Sequence, residues 1–172
     1  MWSRTIVLTG ILAIGVLPGG AAAEDKPSKI SSYAGKYSGG LAFTDGTTTT
    51  GPSTAVFKTS RRKQKGSLVL SSTLFTSGSS IVFIERIDFK KRSAIYTLTR
   101  MTSGSSLTGG STGSASIGRK TIRFSATFDF NAATLTVAGT IRRSGKQLAV
   151  SDIFTSGGSP VTLVYALEKK GR

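Results

Sequence analysis

The chain contains no cysteine and no histidine. Disulfides, thiol nucleophiles and imidazole-based acid–base relays are therefore excluded, and so are the nitrogen and sulfur ligands that zinc prefers. A chain of 172 residues is nevertheless long enough to bury a core without covalent cross-links. The fold must be held by packing and hydrogen bonding alone, and no metal and no cofactor is predicted.

Acidic residues are also scarce, with 8 against 23 lysines and arginines, which gives a net charge of +15. The sequence holds carboxylates at Glu24, Asp25, Asp45, Glu85, Asp88, Asp129, Asp152 and Glu168. Glycosidases need two carboxylates that face each other across a groove, and nothing in the spacing singles out such a pair. Asp129 and Asp152 fall on different predicted strands and could approach each other, which makes them the candidate pair. The chain is therefore predicted to bind rather than to catalyse.

Two of these acids have sequence neighbours that suggest an environment. Glu85 alternates with apolar residues and is expected to be a partly buried acid that pairs with an arginine. Asp88 stands beside the basic run 90–92 and is expected to pair with it. Both expectations assign these carboxylates a structural role.

The first 23 residues read as a secretory signal peptide. Arg4 supplies the positive start, Thr5 to Leu17 is uncharged and apolar, and Ala21 to Ala23 offers small residues for cleavage. The alternative is an uncleaved anchor, but the apolar run is too short to cross a bilayer core of about 30 Å as a helix. The protein is accordingly predicted to be exported, to the periplasm or the extracellular space.

The remainder of the chain divides by composition into three parts. A polar lead-in is predicted over residues 24–32, a single β-barrel domain over 33–168, and a basic tail over 169–172. From Tyr33 onward the pattern has period two, and Thr, Ser, Val, Ile and Phe dominate. Lys120 to Phe130 is the clearest strand, and it forms a hairpin with the strand that follows Asn131.

The predicted fold is all-β, an antiparallel up-and-down meander of about 8–10 strands. Several segments, such as Ile81 to Ile87, are apolar on both faces, which favours a closed barrel, with a β-sandwich as the alternative. The strands are predicted at residues 36–43, 53–60, 67–75, 80–89, 92–101, 106–117, 120–130, 134–141, 147–155 and 160–168.

The positive charge is clustered at every second predicted turn. The clusters consist of Arg61, Arg62, Lys63 and Lys65; Lys90, Lys91 and Arg92; Arg119 and Lys120; and Arg142, Arg143 and Lys146. The turns between them carry no charge. Alternate turns of a meander lie at opposite ends, so the pattern predicts one basic end and one neutral end. This parity holds only if the Ser/Gly-rich residues 106–117 form a strand, with Leu107, Gly109, Ser111, Gly113, Ala115 and Ile117 facing inward.

These twelve residues are the predicted anion-binding site. A field of this sign concentrates anions near the protein, so the predicted partner is an anionic polymer or an anionic membrane surface. An envelope glycan, a phospholipid or the phosphates of lipopolysaccharide would satisfy this description. Nucleic acid is less favoured, because the basic turns carry no aromatic residue on which bases could stack. Alternatively, the charges serve only to keep strand ends soluble and unpaired.

Two further functions remain open at this point. One is a small outer-membrane barrel or structural envelope protein, because an even strand number and a signal peptide fit that class. The other comes from a resemblance. The opening Tyr33-Ala34-Gly35-Lys36-Tyr37-Ser38-Gly39, followed by a meander punctuated by glycines, resembles the lipocalin-like (calycin-type) secreted barrels of bacteria. This resemblance implies an up-and-down barrel that carries a small apolar ligand in its interior.

Overall fold

The structure, a computed structural model, describes residues 30–60 and 65–171. It contains one short 3₁₀ helix, η1 (Ile30–Tyr33), which is followed by ten strands. The strands are β1 (Gly35–Thr44), β2 (Thr48–Ser60), β3 (Lys65–Thr76), β4 (Ser79–Lys90), β5 (Ser93–Thr102), β6 (Ser105–Ile117), β7 (Thr121–Phe130), β8 (Ala133–Ser144), β9 (Gln147–Thr155) and β10 (Val161–Lys169). The predicted signal peptide and the predicted site residues Arg61, Arg62 and Lys63 lie outside the described residues.

Each strand pairs antiparallel with the next along the chain, and β1 closes the sheet by pairing with β10. The protein is therefore an all-β, ten-stranded closed meander barrel, as the two-sided apolar strands predicted, and not a sandwich of two sheets. Closure removes the two free edges that an open sheet of these strands would have. This layout is compatible with that of the lipocalin-like barrels.

The turns divide between two ends of the barrel. We call the basic end the one that holds the β4–β5, β6–β7 and β8–β9 turns, the start of β1 and the end of β10. The neutral end holds the β1–β2, β3–β4, β5–β6, β7–β8 and β9–β10 turns. Every described basic cluster falls at the basic end, which confirms the predicted alternation of charge.

Residues 105–117 form a strand, β6, and not a loop, which confirms the prediction that charge parity required. The predicted inward residues are the less exposed set along this strand. The ladder with β7 covers only Ser114–Ile117 of β6, whereas the ladder with β5 covers Ser105–Ser114. A side chain at Gly109 or Gly113 would meet a backbone carbonyl of β7, so glycine lets these two strands approach closely.

Aromatic rings fill the interior from one end to the other. Tyr33 stacks on Phe57 with 5.5 Å between ring centroids, and Phe57 stacks in turn on Phe89 at 6.1 Å. The ring contacts continue through Phe124, Tyr96, Phe128 and Phe130. A closed barrel of this length thus has a packed core in place of an open channel.

The helix η1 closes the basic end from within. Ile30 and Tyr33 are buried, at 5% and 0% exposure, and the Tyr33 hydroxyl donates to the Gly118 carbonyl at 3.1 Å. Tyr37 donates its hydroxyl proton to the Tyr33 carbonyl at 2.7 Å. The predicted lead-in, residues 24–32, therefore ends in ordered structure, because one apolar side chain at Ile30 docks on the barrel even though its neighbours are polar.

Candidate functional site

Nine of the twelve predicted site residues are described, and all nine lie at the basic end. They are Lys65, Lys90, Lys91, Arg92, Arg119, Lys120, Arg142, Arg143 and Lys146. The tight β4–β5 turn places Lys91 at a positive φ of 57°, and Gly145 takes a φ of 56° in the β8–β9 turn. These short turns hold the cations close to the rim, because their flanking residues belong to the ladders.

The barrel brings four more lysines to the basic end, in addition to the predicted site residues. They are Lys36, Lys58, Lys169 and Lys170. Lys36 and Lys58 are isolated in the sequence. They join the clusters at the basic end because each lies near a strand end on that side of the barrel. Lys169 donates from Nζ to the Ala34 carbonyl at 2.7 Å, so it fastens the last strand to the segment after η1.

Arg143 differs from the other predicted site residues because its side chain faces inward. It is half-buried, and its Nε is buried with no hydrogen-bond partner among the described residues. Its charge lies near Tyr33 and Tyr37 and lowers the pKa of each hydroxyl, but burial is the larger influence. Burial raises the pKa of Tyr33 to about 12 and raises the pKa of Tyr37 as well. Arg143 thus belongs to the inner lining of the basic end and not to its outer rim.

Few acids stand near these cations. Asp88 forms an ion pair with Arg86, with 2.8 Å between Nε and Oδ2, and this is the only ion pair among the described residues. The expectation that Asp88 pairs with the run 90–92 is therefore wrong. Arg86 and Asp88 both face outward on β4, two residues apart, which puts the guanidinium within reach. The clustered cations of the basic end form no ion pair with a described carboxylate.

A second polar group lies inside the barrel. Glu85 is fully buried on β4, and its carboxylate accepts hydrogen bonds from the hydroxyls of Tyr96, at 2.8 Å, and Tyr165. The expectation of an arginine partner is wrong: Glu85 forms no ion pair among the described residues, and its hydrogen-bond donors are Tyr96 on β5 and Tyr165 on β10. Two neutral donors can satisfy a buried carboxylate without a second buried charge.

Asp152 is the other buried acid, at 0% exposure on β9. Neither of its carboxylate oxygens accepts a hydrogen bond from a described residue. Burial raises the pKa of Asp152 well above its usual value, and the charge of Glu85 and a hydrogen bond to Glu85 raise it further. Asp152 therefore holds its proton to a higher pH than an exposed aspartate does.

The two acids considered for catalysis do not face each other. Asp129 is exposed on the outer wall, where it accepts a hydrogen bond from Thr134 at 2.7 Å, and Asp152 points into the core. The barrel wall separates them, so they cannot flank a bond in a substrate. Among residues 30–60 and 65–171 no cluster of three or more potential metal ligands occurs. No helix in these ranges is long and apolar enough to cross a membrane.

Comparison with known proteins adds no relative to this picture. The chain matches no protein-family model, and no curated protein sequence is similar enough to indicate a relationship.

Proposed function

We propose that the protein is an exported, non-catalytic binding protein whose basic end contacts an anionic partner. An envelope glycan, a phospholipid surface and lipopolysaccharide phosphates share the required chemistry. The observation that carries this proposal is the convergence of the described basic clusters on one end, where they form no ion pair with a described carboxylate. A one-sided field of this kind draws polyanions toward one surface of the protein.

The interior is a weaker candidate for the binding site. A lipocalin-like carrier needs space between its strands for an apolar ligand, and here the ring contacts from Tyr33 to Phe130 occupy the axis. The helix η1 also covers the basic end of the barrel. These contacts favour the outer surface over the lumen as the place where a partner binds.

The outer wall gives little support to a lipid-embedded barrel. Hydroxyl pairs cover much of it, for example Thr99 with Thr108 and Thr127 with Thr136, both 3.0 Å apart. Membrane barrels carry a continuous apolar band outside, and in the part of the chain that the structure describes only a few large apolar side chains are strongly exposed. Those side chains are Phe75, Ile95, Ile153 and Val164.

Binding to heparin, to anionic vesicles and to neutral vesicles across a salt series tests the proposal. We expect binding to both anionic probes, with an affinity that falls by about tenfold or more between about 50 and 200 mM salt. Neutral vesicles should not bind. Absence of salt-sensitive binding to either anionic probe would contradict the proposal and leave the charges as solubility devices.

A matched pair of variants separates the location of the charge from its amount. The first variant removes four charges at the basic end, through Lys91→Gln, Arg92→Gln, Lys120→Gln and Arg142→Gln. The second adds four acids at the neutral end, through Ser77→Glu, Ser103→Glu, Ser156→Glu and Ser159→Glu, at exposed turn positions. Both variants have the same net charge. We expect only the first to lose about tenfold or more in affinity, and an equal loss in both would show that net charge alone drives binding.

A further inference from the structure

A groove on the outer wall, beside the basic end, spans strands β2 to β5. Its volume is about 390 Å³, within the range of about 300–1,000 Å³ that is common for small-molecule sites. It is lined by Lys58, Thr59, Ser60, Lys65, Gly66, Ser67, Asp88, Phe89, Lys90 and Ile95. Lys58 was not among the predicted site residues.

Strand register explains why a depression forms at this place. Lys58, Ser67, Asp88 and Ile95 lie side by side in one outward-facing row across four strands. The small Ser67 stands between longer side chains and leaves the floor low. The wall is largely carbon, supplied by Ile95, which is 52% exposed, and by the methylene stems of the lysines.

The next row toward the basic end places two like charges directly opposite each other. Lys65 on β3 pairs with Lys90 on β4, and both are exposed on the outer face. Such pairs have Cβ atoms about 5 Å apart, so like charges there repel and destabilise the sheet. Lys58 lies diagonally across from Lys65 and adds a third ammonium to the same groove.

The one carboxylate in the groove does not relieve this repulsion. Asp88 is held by Arg86 at 2.8 Å, on the side away from Lys90. Within the described part of the chain the three lysines form no ion pair. Three ammonium groups around one depression repel each other, and a bound anion would stabilise this arrangement.

We propose that this groove is a discrete binding site for a phosphate or sulfate monoester. The oxyanion sits among Lys58, Lys65 and Lys90, whose ammonium groups act as point charges around a tetrahedral anion. The carbon skeleton of the ester lies along Ile95, because the groove is larger than one oxyanion and its wall is largely carbon. The inference deepens the proposed function, on which it rests, by assigning one subsite and one chemical class to the basic end.

Titration of the ¹⁵N-labelled protein with glycerol phosphate, followed by amide chemical shifts, tests this site. We expect saturable shifts at Ser67, Lys90 and Ile95, and none at the β6–β7 and β8–β9 turns. Lys65→Gln combined with Lys90→Gln should weaken binding by about tenfold or more. The matched control, Lys120→Gln with Lys146→Gln, removes the same charge at the same end outside the groove and should change binding less than about twofold.

A second comparison tests the role of the carbon wall. Ile95→Ser should weaken binding of glycerol phosphate while leaving binding of inorganic phosphate within about twofold. Vesicles that contain phosphatidate present the same monoester at a lipid surface. Binding that is lost with Lys65→Gln and Lys90→Gln for both probes supports a site for the monoester itself, and binding to vesicles alone identifies the lipid headgroup as its source.

The outcomes separate this inference from the proposed function. Equal losses of glycerol phosphate binding in the groove variant and in its control would overturn the groove as a discrete site. If the wild type still binds heparin, the basic end would remain a diffuse polyanion surface. Saturable monoester binding in the groove without any heparin or anionic-vesicle binding would support the groove and overturn the polyanion proposal. Shifts spread over all basic turns would also overturn the discrete site.

Discussion

The Asp152→Asn variant is expected to have a higher free energy of unfolding than the wild type at pH 7 and pH 9, and a similar one near pH 4. Asp152 is fully buried, its carboxylate oxygens accept no hydrogen bond from a described residue, and burial beside Glu85 raises its pKa. Asparagine keeps the shape of the side chain and replaces the titrating proton with a fixed N–H donor toward Glu85. Urea unfolding at the three pH values measures the difference.

The direction of the change in the free energy of unfolding follows from the proton that Asp152 keeps in the folded protein. Burial and the neighbouring Glu85 raise the pKa of Asp152, so the folded protein keeps a proton that the unfolded chain releases above the ordinary pKa of about 3.9. The stabilising contribution is full below that value and is lost as the pH rises toward the folded pKa. The loss is about 1.4 kcal/mol for each pH unit in this interval. The variant, which holds no such proton, lacks this part of the pH dependence.

The pKa values of the two tyrosines that face Glu85 and Asp152 are also raised. Burial raises the pKa of Tyr96 and Tyr165 well above the usual value, and the charge of Glu85 raises both further. Both hydroxyls therefore remain protonated across the range from pH 4 to 9 and continue to donate to Glu85. The steep pH dependence in this range should therefore come from the raised pKa of Asp152.

Asp129→Asn is the matched control for this prediction. It makes the same chemical change on an exposed carboxylate of the outer wall, where Thr134 donates to it. We expect a change of less than about 0.5 kcal/mol at all three pH values. A destabilised Asp152→Asn variant at pH 7 and 9 would contradict the raised pKa of Asp152 and indicate that this carboxylate is ionised and held by an interaction that asparagine cannot replace.

The features that the sequence predicted depend on short-range patterns. Period-two alternation defined the strands, and the parity of charged turns identified β6 although its residues are small and polar. Both patterns hold along a meander, where each strand contacts its neighbours in the chain. The predicted strands and the predicted basic and neutral ends therefore agree with the barrel, although the register between strands was not predicted.

The features that the sequence missed depend on closure and register. Glu85 and Tyr165 lie on β4 and β10, and they meet only because the sheet curls into a barrel and both residues point inward. The groove depends on the alignment of Lys58, Ser67 and Ile95 across strands, which a shift of one residue would destroy. The helix η1 has four residues, too few to show helical periodicity.

The second large effect is expected at this helix. Tyr33→Ala should lower the free energy of unfolding by about 3–5 kcal/mol, because it removes a fully buried ring from a closed core. The ring stacks on Phe57 with 5.5 Å between ring centroids, and Ile30 is the only other buried side chain of η1. Chemical denaturation at pH 7, with far-UV circular dichroism as the signal, measures the loss.

Tyr33→Phe separates ring packing from hydrogen bonding at the same position. Phenylalanine keeps the stacked ring and loses only the donation from the hydroxyl to the Gly118 carbonyl, so we expect a cost of about 1 kcal/mol. If both variants cost about the same, the hydroxyl and not the ring would be what holds η1 to the barrel. If Tyr33→Ala costs less than about 1 kcal/mol, η1 does not close the core.

The same pair of variants tests whether the closure of the barrel and the binding surface are separate. The described rim cations stand on strands and turns, whereas η1 carries no charged residue of its own. At temperatures where Tyr33→Ala remains folded, heparin affinity should therefore stay within about twofold of the wild type. A larger loss would mean that the cations depend on η1 for their positions, most directly through Lys169, which donates to the Ala34 carbonyl next to Tyr33. The basic end would then act as one unit, in which core packing sets the geometry of the charged rim.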